Sequence, residues 1–161
     1  MLKTKILIVE SGSIIALDIQ KSLQRVGCSV PAVTNSGLKA INLAKEIAPD
    51  LVLMELELKG EINGVMAAKQ ISTWLNIPVI YLTTRKPDDL SKTWQYICKP
   101  FKQEKLYTDI LIALAKKLPF HSLLANSELM QLSSSEPPCL RVMKEIITMI
   151  NYHGSSITGQ K

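Results

Sequence analysis

Four polar residues stand directly after four short apolar runs of the sequence. Glu10 follows ILIV, Glu55 follows LVLM, Thr83 follows PVIYL and Lys99 follows YIC. Runs of Ile, Leu and Val with no polar alternation are typical of parallel strands covered on both faces. In such sheets the ligand site lies beyond the carboxyl ends of the strands. The sequence therefore predicts that two acids, a hydroxyl and an amine meet at one edge of a sheet.

The elements that would position these groups alternate between strand and helix patterns. Ser13 and Ser36 are predicted helix N-caps, and Gly27 and Asn76 are predicted to follow helix ends. This alternation favours an α/β fold with a doubly wound, five-stranded parallel sheet. The strand patterns lie at 5–10, 29–33, 51–56, 78–83 and 96–99, and the helix patterns at 13–27, 36–49, 63–75 and 101–118.

The composition suits one domain with an appendage. The chain has 161 residues, 47% of them hydrophobic, and no apolar run of bilayer length, so we expect a cytoplasmic protein without membrane contact. Three cysteines at wide spacings predict buried or inert thiols rather than a disulfide framework or a zinc site. The net charge is +5, but residues 118–161 hold three basic and three acidic residues, which disfavours nucleic acid as a partner.

The stretches KILIVE, PDLVLMELEL, IPVIYLTT and YICKPF resemble the receiver domain of two-component response regulators, over about residues 3–117. The resemblance implies the flavodoxin-like receiver fold with strand order 2-1-3-4-5. In that family an aspartate accepts a phosphoryl group from a histidine kinase beside Mg²⁺. By resemblance, the family's positions are the phosphoacceptor at Glu55, the acid pair at Glu10 and Ser11, the phosphoryl contacts at Thr83 and Lys99, the switch aromatic at Tyr96 and a cis peptide at Lys99-Pro100.

Two of these positions depart from the family. Glu55 is one methylene longer than aspartate, so its oxygens project past the point of in-line attack on phosphorus. Ser11 removes one metal-binding acid, so we expect no cofactor, with Mg²⁺ held by Glu10 and Glu55 as the alternative. Lys99 is then free to pair with Glu55, and an inward Tyr96 is expected. Glu57 is predicted to be solvated.

The remaining segments are less regular. Only 16 positions separate Thr83 from Lys99, so the family's fourth helix must be short or irregular here. Pro119 ends the last helix of a receiver-like domain at 1–118. Residues 119–161 form a predicted small helical extension with a disordered tail, and Leu140, Met143, Ile147 and Ile150 lie on one stripe.

Three function classes stay open. The first is a pseudo-receiver, not an enzyme, that is not phosphorylated at Glu55 and acts through protein contacts. The second is a receiver that still accepts phosphate in a phosphorelay. The third is a DNA-binding regulator that uses the C-terminal helices. The resemblance implies a histidine kinase or an output protein as partner, and a homodimer is an additional candidate.

Overall fold

The computed structural model of the chain describes residues 3–87, 94–116 and Thr148. Within these residues five parallel strands form one sheet in the order β2-β1-β3-β4-β5. The predicted doubly wound sheet and its strand order are confirmed. The strands are β1 (Ile6–Val9), β2 (Val33–Thr34), β3 (Leu51–Glu55), β4 (Val79–Thr83) and β5 (Gln95–Cys98).

Helices cover both faces of this sheet. Four helices occur among the described residues: α1 (Ser13–Arg25), α2 (Gly37–Ile47), α3 (Gly64–Leu75) and α4 (Gln103–Ala115). One apolar cluster joins α1 and α4 to one face, and a second joins α2 and α3 to the other. Alternate residues of β1, β3 and β4 belong to the two clusters, so Ile6 and Ile8 face one and Leu7 and Val9 face the other. This explains why β1 and β3 are apolar at nearly every position.

The helix ends follow the predicted punctuation with one shift. Ser36 caps α2 by accepting a hydrogen bond from the Lys39 backbone N–H. Asn76 ends α3 in the left-handed region at φ 52°. The predicted N-cap Ser13 is wrong by one position, because the cap is Gly12 and Ser13 is the first helical residue. Gly12 has no side chain and so makes no side-chain cap, but its backbone N–H donates a hydrogen bond within the site described below.

The start of α3 lies against the end of β3. A Cβ on Gly64 would stand 1.9 Å from the Glu55 carbonyl oxygen and 3.0 Å from the Leu56 carbonyl oxygen. Because both obstacles are backbone atoms, only glycine permits this approach. The close packing of α3 on β3 therefore helps to hold the backbone at Glu55 in place.

Several sequence-based predictions fall outside the described residues. The predicted short fourth helix lies mostly at 88–93, and the predicted C-terminal extension lies at 119–161, of which only Thr148 is described.

None of the described helices has the length and apolarity to cross a membrane. Cys28 is buried and its pKa is raised to about 12 by that burial and by Asp50. Cys98 is exposed and also a free thiol, so of the predicted buried or inert thiols Cys28 is the buried one.

We predict that Gly64→Ala destabilises the protein. In an open helix this change would stabilise by up to about 1 kcal/mol, but here the new methyl meets the Glu55 carbonyl and we expect a loss of about 1 to 3 kcal/mol. Urea unfolding measures the difference, with Thr73→Ala on the exposed side of the same helix as the control, expected within about 0.5 kcal/mol of the parent. A stabilised Gly64→Ala variant would contradict this packing of α3.

Candidate functional site

The four polar residues singled out at strand ends lie at one edge of the sheet. Glu55 is the last residue of β3 and Thr83 the last of β4, while Glu10 and Lys99 follow β1 and β5 directly. The parallel register brings these ends side by side, since Glu55 pairs with Leu82 and Thr83 with Cys98. Glu10, Glu55 and Thr83 are all buried. The predicted convergence is therefore present, and it is enclosed rather than open to solvent.

Lys99 joins the two acids. Its Nζ lies 3.0 Å from Glu10 Oε2 and 3.0 Å from Glu55 Oε1. The Lys99, Glu10 and Glu55 side chains are only 10%, 1% and 8% exposed. Because water is largely excluded, each charge depends on its partners. The expected contact between Glu55 and Lys99 is present, and Glu10 shares the same ammonium.

The remaining oxygens of the two acids accept backbone hydrogen bonds. The Ser11 N–H donates to Glu55 Oε2 at 2.8 Å, and the Gly12 N–H donates to Glu10 Oε1 at 2.9 Å. Both donors immediately precede α1, where the positive end of the helix dipole favours negative charge. Every carboxylate oxygen of Glu10 and Glu55 thus has a donor. These two backbone donors carried no signal in the sequence, because any residue type supplies an N–H.

The protonation of the site follows from this pairing. Burial acts to raise the pKa of Glu55, but hydrogen bonds from Ser11 and from Lys99, with the Lys99 charge, outweigh it and hold that pKa below its ordinary 4.5. Burial acts to lower the pKa of Lys99, but its bonds to Glu10 and Glu55 and their charges raise it above 10.5. Glu55 and Lys99 can therefore both stay charged at neutral pH.

Thr83 has a different partner from the one expected. Its hydroxyl lies 2.6 Å from Glu57 Oε1, which also accepts bonds from the Thr84 N–H and hydroxyl, each at 3.2 Å. The prediction that Glu57 is solvated is therefore wrong. The chain turns after Glu55, and because β4 lies beside β3 the turn carries Glu57 to the end of β4. The sequence pointed to this contact only through the neighbouring positions of β3 and β4, because residue types do not reveal the geometry of the turn.

Tyr96 lies on β5, three residues before Lys99. It is half-buried and packs against the cluster that contains α2 and α3, and its inward orientation as a switch residue stays a prediction. The Lys99-Pro100 peptide is cis, as predicted. Among the described residues no group of three or more His, Cys, Asp and Glu side chains has the arrangement of a metal site.

A parallel sheet in this order, with acids, a threonine and a lysine at its carboxyl edge, defines a receiver-type signalling domain. The family model for the response regulator receiver domain matches residues 6–111, and the chain belongs to this family.

Two solved receiver structures and one curated relative are similar to this chain. The N-terminal domain of a response regulator/sensory box/GGDEF protein from Carboxydothermus hydrogenoformans has a TM-score of 0.62 and 30% identity, covering 70% of this chain and 94% of that one. The receiver domain of sensor histidine kinase PA1611 from Pseudomonas aeruginosa, solved with magnesium in its active site cleft, has a TM-score of 0.63 and 24% identity, covering 71% and 99%. The transcriptional regulatory protein PdtaR of Mycobacterium tuberculosis is 27% identical over 118 residues, which span 70% of this chain but only 57% of PdtaR.

We predict that Lys99→Met costs about 3 to 5 kcal/mol of stability near neutral pH, because it leaves two buried carboxylates without their cation. The lowered pKa of Glu55 means that its stabilising contribution exists above pH 4.5 and is lost as the pH falls through the folded-state pKa. The deficit of the variant should therefore shrink as the pH falls toward and below 4.5.

Urea unfolding at several pH values measures this deficit. Lys69→Met removes the same charge from an exposed site on α3 and is the matched control, with an expected change within about 0.5 kcal/mol. A Lys99→Met loss that equals the control, or that grows at acid pH, would show that the two ion pairs do not stabilise the fold.

Proposed function

We propose that this chain is a receiver-type signalling module that is not phosphorylated at Glu55 and that acts by binding proteins. The observation that carries the proposal is the position of the Lys99 ammonium, 3.0 Å from both Glu10 and Glu55. In this arrangement the acid at the acceptor position already holds a cation and a backbone donor. Glu55 is then a permanent charge in the interior of the site rather than a group that waits for a phosphoryl donor.

Magnesium does not fit the residues as they are arranged. Mg²⁺ requires oxygen ligands at about 2.0 to 2.1 Å in octahedral geometry. All four carboxylate oxygens of Glu10 and Glu55 have donors, and a cationic nitrogen lies between the two side chains. A metal would have to displace Lys99 and meet its repulsion. We therefore propose a site without cofactor, in which lysine neutralises the acids.

The position of the Glu55 oxygens also opposes phosphoryl transfer. Transfer depends on holding the attacking oxygen in line with the leaving group, and a displacement of about 1 Å costs on the order of a hundredfold in rate. The extra methylene of Glu55 carries Oε2 to the Ser11 N–H at 2.8 Å. Attack on phosphorus would require this bond and the Lys99 contact to break first.

The two departures from the family support each other. Serine at position 11 places no charge beside the Glu55 carboxylate, which accepts a hydrogen bond from the Ser11 backbone N–H. An acid in its place would set a third negative charge beside Glu10 and Glu55 with only Lys99 to balance them. A longer acid at 55 and an uncharged residue at 11 are therefore compatible with one another, which supports a pseudo-receiver rather than an accidental loss of one residue.

A phosphorelay receiver is the second candidate, because Thr83 and Lys99 are both retained at the edge of the sheet. The candidate partners are a histidine kinase, an output protein or a second copy of this chain.

DNA binding has little support. PdtaR is a transcriptional regulatory protein, but the match leaves much of its length uncovered, and the neutral charge of residues 118–161 gives no support for DNA binding. We propose a receiver-like domain at 1–118, an extension at 119–161 and, from the free thiols Cys28 and Cys98, the cytoplasm as the compartment.

The first test is incubation with acetyl phosphate and Mg²⁺. We expect the intact mass to stay unchanged, because Glu55 is held by Lys99 and Ser11 and no metal fits between the acids. Intact-mass spectrometry with peptide mapping reads the outcome, and a receiver domain with the family's aspartate serves as the positive control. Stoichiometric incorporation that maps to Glu55 would contradict the proposal in favour of the phosphorelay candidate.

A second test restores the family's acids. In the double variant Glu55→Asp with Ser11→Asp we expect phosphoryl incorporation from acetyl phosphate in the presence of Mg²⁺, since Thr83 and Lys99 remain as donors to the phosphoryl oxygens. Either single variant should incorporate less than the double variant, because each leaves one mismatched partner. If the single Glu55→Asp variant incorporates as much phosphate as the double variant, Ser11 does not contribute to the loss of phosphorylation.

A further inference from the structure

A third acid, Glu57, lies at the end of β4 and belongs to neither of the ion pairs of Lys99. Its Oε1 atom alone accepts three hydrogen bonds, from the Thr83 hydroxyl, the Thr84 N–H and the Thr84 hydroxyl. We call these three residues the Thr83 clamp. Two hydroxyls and a backbone N–H that point at one place form an anion-binding site. In this protein the anion comes from the chain itself.

The Thr83 hydroxyl is committed to this contact. A hydroxyl has one proton, and two oxygens compete for it: Glu57 Oε1 at 2.6 Å and the Arg85 carbonyl at 2.8 Å. The carboxylate is nearer and charged, and hydrogen bonds to charged acceptors are the stronger ones. Thr83 is also fully buried. An anion that arrived from solvent would find this proton already donated.

Glu55 does not perform this task. Its two oxygens bind Lys99 and Ser11, and among the described residues it makes no hydrogen bond to Thr83. The donors of the site are thus divided between two acids, with Lys99 held by Glu10 and Glu55 and Thr83 held by Glu57. Glu55, which stands at the family's acceptor position, is therefore not the acid that contacts Thr83.

The other oxygen of Glu57 shows that the contacts at Oε1 determine the position of the side chain. Oε2 is buried and has no hydrogen-bond partner within the described residues. An unpaired buried oxygen opposes folding, so the bonds at Oε1 must offset it. A glutamate without specific contacts at the end of β4 would expose both carboxylate oxygens to water. The observed placement indicates that the contact with Thr83 and Thr84 decides where Glu57 lies.

We propose that Glu57 is a positioning residue, a permanent intramolecular anion that fixes Thr83 and the turn from Thr84 to Arg85 in one arrangement. The Arg85 N–H donates to Thr83 Oγ1 at 3.3 Å, so the position of the hydroxyl is transmitted directly to the turn. This deepens the proposed function and rests on it for its meaning in signalling. In a module without phosphorylation, Glu57 keeps the end of β4 in its anion-bound form at all times.

A double-mutant cycle of Glu57→Ala and Thr83→Val tests the contact. Valine keeps the shape of threonine without the hydroxyl, so both single variants remove the same bond. We expect the unfolding equilibrium constants to be non-additive by about tenfold or more, as for a hydrogen bond to a charged group. Glu61→Ala, on the same loop and exposed, is the control and should be additive with Thr83→Val. Additivity of Glu57→Ala with Thr83→Val to within about twofold would overturn the proposal.

Hydrogen exchange at the Thr84 amide provides a local readout that a general loss of stability does not reproduce. Glu57→Ala should speed exchange there by about tenfold or more, while amides in the middle of β1 change only with global stability. Glu57→Gln retains an oxygen acceptor and should restore part of the protection. Equal exchange at Thr84 in the parent and in Glu57→Ala would overturn the proposal. Phosphoryl incorporation at Glu55 in the unaltered chain would instead contradict the proposed function and leave the coupling between Glu57 and Thr83 in place.

Discussion

The structure depends on one ammonium group placed between two carboxylates. Lys99 follows β5, Glu10 follows β1 and Glu55 ends β3, so the ion pairs reach across the sheet over the end of β4. Burying three charges is costly unless each is paired and its remaining hydrogen-bonding positions are filled. The N–H groups of Ser11 and Gly12 at the start of α1 complete that requirement. Each oxygen of the two carboxylates thus has a hydrogen-bond donor within the protein.

This internal satisfaction gives the two departures from the receiver family a common explanation. Glu55 accepts hydrogen bonds from Ser11 and Lys99, and a serine at 11 adds no negative charge beside the two acids. The same carboxylate therefore gains stability and loses the freedom that in-line attack requires. In the proposed pseudo-receiver, phosphoryl transfer and the ion-pair network make opposite demands on Glu55, and the contacts observed are those of the network.

The end of β4 follows the same logic with different groups. Glu57 accepts hydrogen bonds from Thr83 and Thr84, while the Lys99 ammonium is bound by Glu10 and Glu55. Tyr96 stays half-buried on the neighbouring strand, and Trp94 contacts the ring of Tyr81 edge-on with centroids 5.7 Å apart. These contacts are consistent with the function proposed above, in which no covalent signal is needed.

The sequence by itself determined the sheet and the gathering of the site. Continuous apolar runs can only be buried on both faces, and parallel strands place Glu10, Glu55, Thr83 and Lys99 at one edge whatever the details of the loops. Tertiary structure alone decided which acid binds which donor. Glu57 reaches Thr83 because a turn after β3 passes over β4, and the backbone N–H groups of Ser11 and Gly12 are set by the path into α1. Such contacts depend on distances of a few ångströms between segments far apart in the chain, and these distances cannot be inferred from the residue types alone.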